Sequence, residues 1–170
     1  PMSVSMQASL LEQYGPQRIL FKPEAMPLGP KLSELMAATG GQARMFEGYG
    51  GLSLVDNYRR GVVGTMPGAD QIEAVVALWR ALETGDQVAI DRLSPLISAL
   101  VSLQSSLDAF LAVEKYLLVQ QGVFKNTLVR GPVAMVLDDE MRREVDRLFG
   151  LLSEAVQSGP AVDSSGSVRN

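Results

Sequence analysis

The sequence predicts an α/β chain with parallel strands, followed by an all-helical appendage. Three observations lead there. Short apolar runs closed by Gly or Pro alternate with stretches of helical periodicity over residues 4–84. The alternation helix, strand, helix, strand, helix, strand, helix signals parallel pairing through right-handed crossovers. After Gly85-Asp86 the strand signals stop and only helical patterns remain. Three strands are too few for a free-standing parallel sheet, because both edges and much of both faces stay open. The chain therefore reads as part of a larger α/β array.

Ser3–Tyr14 places Val4, Met6, Leu10 and Leu11 at helical spacing and stops at Gly15-Pro16. Arg18-Ile19-Leu20-Phe21 reads as a buried strand that ends at Lys22, where Pro23 halts it. The turn-rich segment Pro23–Pro30 follows. Pro30 is suited to the first position of the next helix, whose apolar face is Leu32, Leu35 and Met36. Gln42–Glu47 is the second strand, leading into Gly48-Tyr49-Gly50-Gly51, and Leu52–Arg60 is a short helix. The third strand, Gly61–Thr65, ends in Met66-Pro67-Gly68.

A long amphipathic helix is expected from Ala69 to Thr84 on Ile72, Val75, Val76, Trp79 and Leu82, with Trp79 in the core. Residues 85–121 read as helical, with breaks at Ser94-Pro95 and Ser105-Ser106. Asp138–Gln157 reads as a last helix, capped by Asp138 or Asp139. The expected organisation is 1–85, 86–157 and a mobile Gly/Ser tail over 158–170.

Composition narrows the chemistry. The 170 residues suffice for one domain with a real core, and the formal net charge of −4 lacks the basic footprint of a nucleic-acid or membrane-surface binder. No apolar stretch reaches the ~18 residues of a membrane span, and no secretory signal is visible. A cytoplasmic setting is the default expectation. A chain that begins with proline is a processed product, carries a cloning remnant or is part of a longer one.

Neither cysteine nor histidine is present, which excludes thiolate chemistry, His-based triads and imidazole-ligated metals. No metal or cofactor is expected. Lys, Tyr, Ser/Thr, Asp and Glu remain for covalent or acid–base work. Lysine occurs only at 22, 31, 115 and 125. Lys22 stands at the C-terminal end of a strand, where parallel α/β folds place their chemistry. An amine partly desolvated there becomes a nucleophile toward carbonyls. The alternative is a lysine that simply reaches water.

Five segments in order carry a family resemblance: Phe21-Lys22-Pro23-Glu24, Phe46–Gly51, Arg60–Gly68, Lys115-Tyr116-Leu117-Leu118 with Gly122, and Arg130-Gly131-Pro132. The set resembles the later half of the dihydrodipicolinate synthase / N-acetylneuraminate lyase family, over roughly residues 4 to 156. That resemblance implies a (β/α)8 TIM barrel, of which this chain would supply strands six to eight and the C-terminal helical extension. It also implies that Lys22 is the Schiff-base lysine, condensing with pyruvate or a related 2-oxo acid.

Gly48, Val63 and Gly64 match positions lining the substrate, although Gly48 also fits a plain turn glycine and Gly64 a residue relieving crowding. Glu24, two residues after Lys22, faces the pocket or caps the next element, and the cap is favoured; Tyr49 closes over substrate or is a loop tyrosine, and the loop is favoured; Lys115 and Arg130 read as ion-pair or helix-end groups. The family's carboxylate-binding turn and proton-relay tyrosine have no match in these residues, and a whole barrel needs ~250 residues. The expected partners are a pyruvate-like 2-oxo acid, the missing barrel half and other copies of the chain in a homo-oligomer. Alone, the 170 residues are expected to turn over little or no substrate. A non-catalytic half-barrel that works as an assembly module is the competing expectation. A phosphate-binding reading of Gly48–Gly51 or Gly64–Gly68 fails on spacing.

Overall fold

The computed structural model describes residues 2–24 and 27–158. Helices carry most of it: α1 (Val4–Tyr14), α2 (Leu28–Ala38), α3 (Leu54–Arg59), α4 (Ile72–Thr84), α5 (Gln87–Ser102), α6 (Leu107–Gln120) and α7 (Asp139–Gln157). Two strands, β1 (Phe46–Glu47) and β2 (Gly64–Thr65), pair in parallel with Phe46 opposite Gly64 and Glu47 opposite Thr65. A single parallel bridge joins Phe21 to Met45 on the other side of β1. Backbone bonds extend this ladder. Phe21 N–H donates to Arg44 O at 2.9 Å, Phe46 N–H to Phe21 O at 2.7 Å, Val63 N–H to Met45 O at 2.8 Å and Met66 N–H to Glu47 O at 3.0 Å. Three parallel segments therefore lie side by side in chain order.

Helix starts follow local capping. The side chains of Ser3, Asp86, Ser106 and Asp138 each accept an N–H of the first turn of α1, α5, α6 and α7. Two apolar clusters result. The smaller gathers Leu11, Leu28, Leu32, Leu35, Ala43, Met45 and Val62 between α1, α2 and the strands. The larger runs from Leu54 to Ala155 and is centred on Leu78, Ile97, Leu100, Val113, Leu117 and Val145. Trp79 packs against both, its ring edge-on to Tyr58 at 5.2 Å.

Several sequence expectations are corrected. Arg18–Phe21 is not a buried strand: Leu20 is 50% exposed and only Phe21 makes a bridge. The N–H groups of Arg18 and Ile19 both turn back to Gly15 O, which leaves only Phe21 on the ladder. The runs Gln42–Glu47 and Gly61–Thr65 likewise shrink to two residues each. Helix α2 opens at Leu28, so Pro30 is its third residue, where the proline's missing N–H still has no intrahelical partner to lose. Helix α5 runs through Ser94-Pro95 unbroken, because Pro95 and Asp91, whose carbonyl it frees, both face solvent. The first part of the long amphipathic helix, Ala69–Gln71, is a 3₁₀ turn. Parts of the Pro23–Pro30 turn (Ala25, Met26) and of the tail (159–170) lie outside the described residues.

Candidate functional site

Register decides which side chains share a face. Successive residues of an extended segment point to opposite sides. Because Phe21 is level with Met45, Lys22 is level with Phe46, which is opposite Gly64. Lys22, Phe46 and Gly64 thus occupy one face. Met45 and Glu47 occupy the other, with Met45 packed among Leu32 and Leu35 of α2. The Lys22 face is the one the helices leave uncovered.

Lys22 keeps a side-chain exposure of 40%, and its Nζ lies 2.7 Å from Glu24 Oε1. Two residues apart on extended chain, the two groups fall on the same side. Glu24 is therefore not a helix cap. α2 starts after Pro27 and has no side-chain cap bond. The pair also borders a groove of about 830 Å³ that opens toward α1 and α2, lined by Met2, Val4, Gln7, Phe21, Lys31 and Glu34.

Gly48 stands directly against this pair. A Cβ built on it would come 3.0 Å from Lys22 Cε and 3.1 Å from Glu24 Cγ, so any larger residue would displace the amine. Gly64 has a different reason: a Cβ there would lie 2.7 Å from the Phe46 ring. Its place on the Lys22 face and its relief of crowding are both real. Val63 is on neither account beside the amine. It is 42% exposed, register sets it on the opposite face from Gly64, and its N–H is held by Met45 O. The structure thus brings Lys22, Gly48 and Gly64 to one face and leaves Val63 apart.

The group that sequence reasoning passed over is Glu47. It is fully buried, and its carboxylate accepts the N–H of Tyr49 at 2.8 Å, the N–H of Gly51 at 2.9 Å and the hydroxyl of Thr65. Gly50 and Gly51 adopt φ of +66° and +97°, conformations that side chains resist, and this curls the turn back onto the carboxylate. Tyr49 in turn donates its hydroxyl to the carbonyl of Glu24. A carboxylate followed at once by a Gly-rich turn was the available signal.

Away from this face, Asp70 is buried at the start of α4. It accepts from Gln104 at 3.2 Å through Oδ2, while Oδ1 has no partner among the described residues. Burial, with the Glu114 carboxylate nearby, pushes its carboxyl up to about 6. Lys115 ties the following loop by donating to Leu128 O rather than forming an ion pair, and Arg130 is exposed. Among the described residues no cluster of acidic side chains could hold a metal, and no single helix is long and apolar enough to cross a membrane.

No protein-family model matches the sequence, and no curated protein matches it. Solved structures do. The chain is similar to dihydrodipicolinate synthase from Rhodopseudomonas palustris, with 24% identity and a TM-score of 0.76 over 89% of this chain and 51% of that one. It is similar to 4-hydroxy-tetrahydrodipicolinate synthase from Methylacidiphilum fumariolicum SolV, with 20% identity and a TM-score of 0.71 over 91% and 50%. It is also similar to dihydrodipicolinate synthase from Oceanobacillus iheyensis, with 16% identity and a TM-score of 0.69 over 91% and 61%. At these identities the likeness is one of fold: a helix-rich chain with a small parallel sheet, consistent with part of a TIM barrel. The chain spans roughly half the length of the structures it matches.

Proposed function

We propose that this chain is the lysine-bearing part of a Schiff-base-forming lyase or synthase that acts on pyruvate or a related 2-oxo acid. The observation that carries the reading is Lys22, at the end of the first of three parallel segments. It lies on their uncovered face, against a glycine that leaves its amine room and beside a carboxylate 2.7 Å away. In this reading the segments through Phe21, β1 and β2 are barrel strands six, seven and eight. Residues 1–85 belong to the barrel, 86–157 are its helical extension and 158–170 a tail.

The neutral Nζ adds to the keto carbon of the 2-oxo acid, and the resulting carbinolamine loses water to give an iminium ion. The iminium nitrogen then takes up the electron pair of the adjacent C–C or C–H bond as that bond breaks, which serves cleavage, condensation or dehydration alike. Glu24 is placed to take a proton from the nitrogen once the C–N bond has formed. Gly48 and Gly64 leave room for the keto acid over the amine. The remaining strands, other copies of the chain in a homo-oligomer and a cytoplasmic setting belong to the same proposal.

Borohydride reduction in the presence of pyruvate, followed by peptide mass spectrometry of the intact native product, tests it. A reduced adduct on Lys22 supports the reading, and its absence there overturns it. A second reading, an assembly module without catalysis, is favoured by the exposure of Leu20, Val63 and Met66 along the open strands. It predicts a stable oligomer of the 170 residues and no adduct. A loosely packed monomer by sedimentation and near-UV circular dichroism would dismiss it.

A further inference from the structure

Glu47 has features that a fold-stabilising residue does not need. A carboxylate buried on the helix side of a sheet is costly unless its charge is answered by several donors. Here three donors answer it, and each belongs to a piece of chain at the strand ends: Tyr49 and Gly51 of the turn after β1, and Thr65 of β2. The turn so fixed does two things to the Lys22 site on the opposite face. It sets Gly48 against Lys22 Cε, and it aims the Tyr49 hydroxyl at the carbonyl of Glu24, the residue whose carboxylate pairs with Lys22.

We propose that Glu47 is a positioning residue, which holds Glu24 against the Lys22 amine through the Gly48–Gly51 turn and Tyr49. Its catalytic meaning rests on the reading of Lys22 as a Schiff-base lysine, but the positioning itself can be measured without any 2-oxo acid. Gln in place of Glu47 keeps the size and one acceptor oxygen, but its NH2 group must face either the Tyr49 N–H or the Gly51 N–H, neither of which it can accept, so one end of the turn is released. Phe in place of Tyr49 cuts only the last link and leaves the buried carboxylate and its three donors in place.

The test uses two readouts on the wild-type chain, Glu47→Gln and Tyr49→Phe. The first is the yield of the zero-length carbodiimide cross-link between Lys22 and Glu24, taken in native buffer and in denaturant. The second is the initial rate of the borohydride-trapped pyruvate adduct on Lys22 against pH. Both variants are expected to lower the native cross-link to the yield of the denatured chain. The adduct rate should fall by on the order of 10- to 100-fold, since a misplacement of about 1 Å has that effect on a reacting group.

Circular dichroism of Tyr49→Phe is expected to match wild type, so this variant decides the matter if Glu47→Gln does not fold. A wild-type cross-link yield in folded Tyr49→Phe, with an unchanged adduct profile, overturns the positioning role while leaving Lys22 as the Schiff-base residue. A wild-type chain whose cross-link depends on Glu47 and Tyr49 but which gives no adduct supports the positioning and removes the proposed reaction.

Discussion

The strand-bearing segments and the helices α4–α7 solve the burial problem differently. In α4–α7, every helix presents an apolar stripe to the others, and Leu78, Ile97, Leu100, Val113, Leu117 and Val145 are sealed from solvent. In the strand part, only the face toward α1 and α2 is closed, while Leu20 and Met66 stay 50% and 46% exposed and the strands pair over two residues. A helix satisfies its own backbone and needs one buried stripe, whereas a parallel strand needs neighbours on both edges and cover on both faces. The open face is therefore also the one that presents Lys22, Gly48 and Gly64. The part that is least complete as a structure holds the candidate chemistry.

The contrast puts the measurable stability of this chain in the packing of α4–α7. Leu117→Ala should lower the unfolding free energy by about 3–4 kcal/mol in urea titration, because the cavity falls in a tightly packed core. Equal losses from Phe21→Ala, which is only half-buried, would contradict the contrast.

The next effect comes from Asp70, which joins the two parts through Gln104 and through Gln121, the latter donating to its carbonyl at 2.7 Å. Its carboxyl is raised to about 6 from the ordinary 3.8, chiefly by burial. An acid whose folded-state value is raised favours folding while protonated, and that contribution is lost as pH climbs from about 4 through 6. At pH 8 the ionised group opposes folding by up to about 3 kcal/mol. Asp70→Asn should therefore raise stability at pH 8 and leave it unchanged near pH 4, as read from melting curves at the two pH values.

Smaller still, Gly64→Ala should cost about 1–2 kcal/mol by pushing a methyl group into the Phe46 ring. Asp138→Ala should cost about 1 kcal/mol by removing the cap whose Oδ1 accepts Met141 N–H at 2.8 Å. Ordered this way, the four variants separate core, junction, open face and helix end.

The same contrast explains what the sequence revealed. Helices were legible because spacing and caps are local: Ser3, Asp138 and the Leu148–Leu152 stripe announce α1 and α7 unaided. Strand lengths were not, because the extent of Gln42–Glu47 depends on pairing partners that no local pattern encodes. Lys22 was singled out by its place at the end of an apolar run, and Gly48 and Gly64 by the family resemblance. The spacing of two put Glu24 within reach of the Lys22 side, but the sequence favoured a cap, and the structure pairs it with Lys22 instead. Glu47 was hidden for a deeper reason. Burial of a carboxylate is decided by donors that meet it only in three dimensions, one of them 18 residues away at Thr65.

The central claim is that Lys22 condenses with a 2-oxo acid, and reductive trapping reads it directly. With pyruvate and borohydride, the intact native product should carry one reduced adduct, located by peptide mass spectrometry on Lys22 and absent from Lys31, Lys115 and Lys125. An unmodified Lys22, or label spread evenly over all four lysines, would contradict the account.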